Sequence, residues 1–296
     1  MIYENTKIGT FLSRPNRFLA HVMLDGREVV CHVKNTGRLR ELLLPGAPVA
    51  VQFHPDAAKM GRKTEYSLIA VQKPISCHGN KEDLNAMAAA KNVPGSKSDM
   101  VCLSAESVMP CQSSGSNTAH LPSGILGEAE DTFTWVNIDS QAPNQVAYEW
   151  LSELAKEQRT APFLLPKDLR REVRFGQSRF DLAFVNVADG GKPWLMEVKG
   201  VTLDADGTAM FPDAPTERGV KHLEELANAV ENGFGAAVLF VIQMKGISAF
   251  APHAERHPEF AEALVSAAER GVHVLAYDCI VTENSLQIDV PVPVIL

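Results

Sequence analysis

SRFDLAFVNVADGGKPWLMEVKG, residues 178–200, reads as two strands joined by a glycine turn. Arg179 to Val187 and Pro193 to Val198 are rich in aromatic and β-branched residues, and Asp189-Gly190-Gly191 between them is turn chemistry. Side chains two apart on a strand leave the same face, so Glu197 and Lys199 project together while Met196 and Val198 face the core. A three-residue loop pairs Ala188 with Lys192. That register sets Asp181 opposite Lys199, with Glu197 diagonal to it. A two-residue loop without a bulge would send Asp181 to the other face.

Such a trio has a chemical logic. Two carboxylates can hold Mg²⁺ or Mn²⁺, ions that keep open water positions and accept a phosphate oxygen. The ion stabilises charge on a phosphodiester and acidifies bound water, and an ammonium neutralises developing charge. Asp181 and Glu197 are therefore candidate metal ligands, and Asp181, Glu197 and Lys199 candidate catalytic residues for phosphodiester hydrolysis. The blander reading is a surface ion-pair lattice, worth little energetically.

Around this hairpin the pattern is α/β. Pro143 to Lys156 is an amphipathic helix with Val146, Trp150 and Leu154 on one face, and a short strand, Glu172 to Phe175, precedes the hairpin. Thr216 to Asn232 is a helix whose Val220, Leu223, Leu226, Ala227 and Val230 share a face, with Gly233 at its end. Ala236 to Ile242 is continuously apolar, as a strand buried on both faces should be. A helix from Arg256 to Arg270 and a strand from Val272 to Tyr277 follow. An antiparallel hairpin joined to a parallel portion is not a doubly wound nucleotide-binding order, and neither GxGxxG nor GxxxxGK[ST] occurs.

The first 73 residues look all-β. Ile8–Leu12, Phe18–Leu24, Glu28–Val33, Val49–Phe53 and Tyr66–Val71 are short strand candidates, with Asp25-Gly26 a tight-hairpin signal and one helical turn near Leu39–Leu43. That count suits an oligonucleotide/oligosaccharide-binding (OB) barrel, and an SH3-like barrel fits almost as well. This first quarter carries 11 basic against 6 acidic side chains in a protein of net charge -8, which suggests a polyanion-facing module. Arg14, Arg17, Lys34, Arg38 and Arg40 are its candidate backbone contacts, with Phe11 or Phe18 as a stacking surface if either escapes the core. Arg218, at the start of a helix, is a further candidate phosphate contact.

Residues 74–131 change character, with frequent Ser, Gly, Asn and Pro and poor periodicity, and read as an insertion or linker with one helical patch at Lys81–Lys91. They hold Cys77, Cys102, Cys111, His78 and His120, without the spacing of a zinc site. Five dispersed cysteines, no CxxC, no signal-like start and no membrane-length apolar run lead to the expectation of a cytoplasmic protein with free thiols. The domains expected are 1–73, a barrel, 74–131, an insertion, and 132–296, an α/β domain with a mixed sheet, an α+β protein overall.

The runs GTFLSRPNRFLAHV (9–22), NTGRLRELLLPG (35–46), WVNIDSQAPNQVAYEWL (135–151), REVRFGQSRFDLAF (171–184), MEVKGVTL (196–203), FPDAPTERGVKHLEEL (211–226) and VLFVIQM (238–244) together resemble the sugar fermentation stimulation protein family, SfsA. The resemblance spans roughly three quarters of the chain. It implies an N-terminal OB-like domain and a C-terminal fold similar to restriction endonucleases of the PD-(D/E)xK type. It also implies DNA binding and a link to expression of sugar-utilisation genes, and its metal-and-catalysis trio maps onto Asp181, Glu197 and Lys199. The chain departs from the family pattern in its long 74–131 stretch, in Lys34 and in Arg38-Leu39.

The reading that emerges is a DNA-binding protein, with RNA the other polyanion open, and a candidate Mg- or Mn-dependent nuclease. No membrane and no obligate protein partner is expected. The rival is a non-catalytic DNA-binding regulator that retains a nuclease-shaped domain, and a third reading is a sugar-binding effector using the barrel groove. On the remaining polar residues, Glu149 and Glu153 read first as a solvated helix face, Asp204 and Asp206 as turn formers, and His222 as a packed side chain.

Overall fold

The computed structural model describes residues 1–35, 37–74 and 133–296. The helical patch at 81–91, Thr36, and the Cys77, Cys102, Cys111, His78 and His120 positions lie outside the described residues.

The barrel is built from β1 (Thr6–Asn16), β2 (Leu19–Leu24), β3 (Arg27–Val33), β4 (Pro48–Phe53) and β5 (Tyr66–Pro74). Asp25 and Gly26 both take positive φ, 51° and 77°, as the tight turn between β2 and β3 requires. Antiparallel pairings run β3-β2-β1-β4-β5, and a parallel pairing of β3 with β5 closes the cylinder. Closure removes both sheet edges, which is the OB solution for a small all-β domain. Phe11, Val22, Leu24, Val49, Val51 and Leu68 fill the interior. The expected helical turn is a single turn in which the Leu42 and Leu43 amides both donate to the Leu39 carbonyl. A strand that the sequence pattern did not announce, β6 (Phe133–Asn137), pairs with β5 and extends the barrel sheet.

The second half is a six-stranded mixed sheet in the order β15-β14-β12-β9-β8-β7. Its strands are β7 (Pro166–Phe175), β8 (Ser178–Asn186), β9 (Lys192–Val201), β12 (Gly235–Ile242), β14 (His273–Val281) and β15 (Leu286–Pro291). β9, β12 and β14 are parallel, and the flanking strands are antiparallel. Every residue of β12 is buried, as its uninterrupted apolar run requires of a central strand. Helix α1 (Ala142–Glu157) covers one face, packing Trp150, Leu151 and Leu154 with Met196, Val198 and Leu239. Helices α2 (Glu217–Glu231) and α3 (Pro258–Glu269) belong to the other, joining Leu223, Leu226, Phe260 and Leu264 to Leu195, Val238 and Phe240. Three short strands, β10 (Leu203–Ala205), β11 (Thr208–Phe211) and β13 (Ala249–Pro252), form a small extra sheet. Cys31 and Cys279 are buried free thiols. Among the described residues, no helix is long and apolar enough to cross a membrane.

Barrel and mixed sheet share one continuous apolar cluster, and a buried polar network ties them. Asp139, 1% exposed, accepts Lys34 Nζ at 2.8 Å and the Tyr3 hydroxyl at 3.3 Å. Asn35 Nδ2 donates to the Ile138 carbonyl at 3.1 Å, and Gln243 Nε2 to Asn137 Oδ1 at 2.9 Å. Buried polar groups satisfied in this manner fix one arrangement, because an unpaired one costs about 1–3 kcal/mol.

Candidate active site

The β8–β9 hairpin decides where the trio sits. Its ladder pairs Asn186 with Lys192 and runs to Leu182 opposite Met196. The connection is therefore Val187 to Gly191, a short 3₁₀ turn closed by Gly190 and Gly191 at φ 61° and 80°. The expected pairing of Ala188 with Lys192 is wrong by two residues. One step beyond the observed ladder, Asp181 falls across from Glu197, not from Lys199. A slip of two preserves which face each side chain takes, so the convergence survives the error in register.

At that end of the ladder the Asp181 side chain takes over from the backbone. Its Oδ2 accepts the Val198 amide at 2.8 Å, and its Oδ1 accepts Asn144 Nδ2, from the first turn of α1, at 2.6 Å. Glu197 is 4% exposed. Its Oε1 accepts Lys199 Nζ at 2.6 Å and His222 Nδ1 at 2.5 Å, while its Oε2 is buried without a partner among the described residues. His222 Nε2 in turn accepts Arg218 Nε at 3.3 Å. The ring thus bridges Glu197 and Arg218.

The electrostatics of the two carboxyls differ. Burial, then the neighbouring Glu197 charge, push Asp181 up to about 6, against the opposing hydrogen bonds and Lys199. Burial pushes Glu197 upward too, but the His222 hydrogen bond and the Lys199 ammonium outweigh it and hold Glu197 below the ordinary glutamate range. Two close carboxyls with divergent proton affinities and one orphaned oxygen are a fit for a hard cation that takes oxygen ligands. Among the described residues, no group of three or more His, Cys, Asp or Glu side chains forms a ready-made cage, so the protein itself offers two carboxylates.

Sequence reasoning undervalued His222. Its neighbours hold the signal. Thr216 Oγ1 caps α2 by accepting the Gly219 amide at 3.1 Å, so Arg218 and His222, four apart, stack on the helix's first turns. A cavity of about 190 Å³ adjoins the trio through Gly200, and its wall includes Asn35, Gly37, Ser140, Asp213 and Gln243. A Cβ at Gly200 would lie 2.6 Å from both Gln243 Oε1 and Pro143 Cγ, so only glycine fits beside Lys199. Glu149 binds the N-terminal amine and Gln145, and Glu153 is exposed, so neither is bonded to the trio.

The basic candidates separate into two kinds. Arg14 spends its guanidinium on the carbonyls of Gly37, Arg38, Arg17 and Asn35, each at 2.8 Å. Lys34 is committed to buried Asp139. Arg17, Arg38 and Arg40 are exposed and, together with the bonded Arg14, line a groove of about 610 Å³ along the barrel, which meets the cavity at Gly37. Arg218 is exposed but leans on His222. Phe11 is core, and Phe18 is 52% exposed.

Comparison with known proteins matches residues 12–78 to the SfsA N-terminal OB domain and residues 141–285 to the sugar fermentation stimulation protein RE domain. A sugar fermentation stimulation protein homolog of Desulfitobacterium hafniense (strain Y51) is 40% identical over 287 residues, covering 97% of this chain and 95% of that protein. A homolog in Clostridium beijerinckii is 37% identical and is covered along with this chain at 100%. The solved structure of Pyrococcus furiosus SfsA in complex with Ca²⁺ superposes with a TM-score of 0.68 over 100% of this chain and 98% of that one, at 21% identity, a likeness of fold.

Proposed function

The chain belongs to the sugar fermentation stimulation protein family, and on that premise we propose that it binds DNA, or RNA, and hydrolyses its phosphodiesters with Mg²⁺ or Mn²⁺. One observation carries the reading: Asp181 and Glu197, distant in sequence, meet at the end of the β8–β9 ladder, with Glu197 Oε2 buried and unpartnered among the described residues. Asp181 and Glu197 would hold the ion, and the Ca²⁺ in the Pyrococcus furiosus relative is a hard cation of the same preference. A bound divalent ion supplies charge stabilisation at the phosphate and acidifies water.

The chain's own residues supply the remainder. Lys199 and His222 keep Glu197 ionised and oriented. Asn144 and the Val198 amide hold Asp181 facing the same site. Lys199, 16% exposed at its side chain, offers the ammonium that neutralises charge building on the phosphate oxygens. Arg17, Arg38 and Arg40 attract and position the polyanion backbone.

A specific observation favours a second reading, a non-catalytic DNA-binding regulator of sugar-utilisation genes. Lys199 and His222 already engage Glu197 Oε1, which makes a closed ion pair without an ion. Incubation of the pure protein with labelled single- and double-stranded DNA and RNA plus Mg²⁺ or Mn²⁺ separates the two. The nuclease reading expects cleavage by the wild type and none by Glu197→Gln. Salt-sensitive binding without cleavage turns the reading to the regulator, and binding indifferent to salt overturns both.

A further inference from the structure

A second hollow on the barrel belongs to neither the trio nor the groove of Arg38 and Arg40. It holds about 500 Å³ and is walled by Phe18, Leu19, His32, Arg62, Lys63 and Thr64, with Asn16 at its rim. These come from the β1–β2 turn, from β3 and from the loop between β4 and β5. Three features make it unusual as bare surface. First, Phe18 is held outward by design of the turn. Asn16 Oδ1 accepts the amides of Phe18 at 2.9 Å and Leu19 at 3.1 Å, and the Phe18 carbonyl accepts the Val33 amide. The ring therefore stays 52% exposed on a fixed backbone, where burial would otherwise favour it. Second, the charges are of one sign. Arg62 and Lys63 line the hollow, no carboxylate does among the described residues, and Arg17 lies 5.4 Å from the centroid of the Phe18 ring. Third, Arg62 is braced, its Nη2 donating to Ser67 Oγ at 2.8 Å. Burial, then Arg62 and Lys34, push His32 below its usual value, against the nearby Asp139.

We propose that this hollow receives an unpaired nucleobase, stacked against Phe18, with its flanking phosphates met by Arg62 and Lys63, so that the preferred polyanion carries a single-stranded segment. Every base has a π-face that an aromatic ring can stack on, and cations beside the ring take the phosphates. A paired base keeps its faces inside the duplex and cannot enter. The hollow and the arginine groove both include Asn16, so one strand can pass over the β1–β2 turn from one to the other. The inference rests on the nucleic-acid reading above and names the form of its ligand.

The test is fluorescence anisotropy without added divalent ion, using a labelled single strand and the blunt duplex of the same sequence. Wild type should bind the single strand more tightly. Phe18→Ala should weaken that binding about tenfold or more and leave duplex binding within about twofold. Phe18→Tyr, which keeps a stacking face, should bind as wild type does. Lys63→Ala should lower the salt slope on the single strand by about one. Phe18 is on the surface, so unchanged melting checks that the variants are folded. Phe18→Ala binding the single strand as wild type overturns the inference while duplex binding keeps the nucleic-acid reading alive. Competition by a neutral oligosaccharide at Phe18 overturns it likewise, and a wild type that binds neither form overturns both.

Discussion

The charged residues of β9 and those of the barrel rim are treated in opposite ways by the fold. Glu197, Lys199 and His222 are mostly withdrawn from water and bonded to one another. Arg17, Arg38 and Arg40 stand in solvent along an open groove. On the function proposed above, the difference matches what each set would do. A charge that stabilises a reacting group must be pre-oriented in a poorly screened place, where its field is strong. A charge that attracts a polyanion gains from counterion release, which needs access and little order. Within the barrel the same contrast recurs between Arg14, whose two terminal nitrogens are taken by four carbonyls, and Arg38, which is exposed.

The sharpest way to break this contrast is Lys199→Ala. Cleavage should fall about 10²- to 10³-fold while affinity for nucleic acid changes less than about twofold. Single-turnover rates and anisotropy on the same substrate measure the two, and a loss confined to affinity would place Lys199 with the rim residues. Next comes Arg14→Ala, which should cost about 3 kcal/mol in urea denaturation, since four carbonyls lose a charged donor. Arg38→Ala should stay within about 0.5 kcal/mol of wild type. Equal effects would erase the distinction inside the barrel.

A smaller effect concerns acidity. Asp181 is raised to about 6, so in chelator the folded protein holds this proton over a range in which the unfolded chain releases it. This group's contribution to stability therefore falls as pH rises from about 4 to about 6 and stays low above that. Asp181→Asn should gain on wild type by about 1–2 kcal/mol between pH 4 and pH 7, with little difference below about pH 4. Urea midpoints at a series of pH values measure it, and a gain that grows toward acid would contradict the burial of this carboxyl. The smallest effect sits at the rim. Arg38→Ala and Arg40→Ala should each reduce the slope of log affinity against log salt by about one, with cleavage per bound molecule unchanged.

Much of the architecture was legible because short-range chemistry dictates it. Asp25-Gly26 takes a conformation that few other pairs tolerate, and the apolar run of β12 has no stable place but the centre of a sheet. The convergence of Asp181 with Glu197 was readable from strand periodicity. The register was not, because it depended on a 3₁₀ turn at Val187–Asp189 that lengthened the connection. His222 was underread because its part depends on how α2 lies against β9, which local sequence does not specify. The bonds of Arg14 and Lys34 were not legible for a related reason. Basic side chains look alike in a sequence, and only tertiary structure shows that one closes on carbonyls and the other on buried Asp139. β6 was missed since its pairing partner is fixed by β5, far back along the chain.

The pairing of Pro74 with Phe133 has a consequence of its own. The chain leaves the barrel sheet and returns to it on one rung of the same ladder. Whatever joins its two ends closes over a gap that a tight turn could span, and loop-closure entropy grows only slowly with length. A change of length between these two residues therefore costs little closure entropy and leaves the pairs that set the register of β5 with β6 as they are.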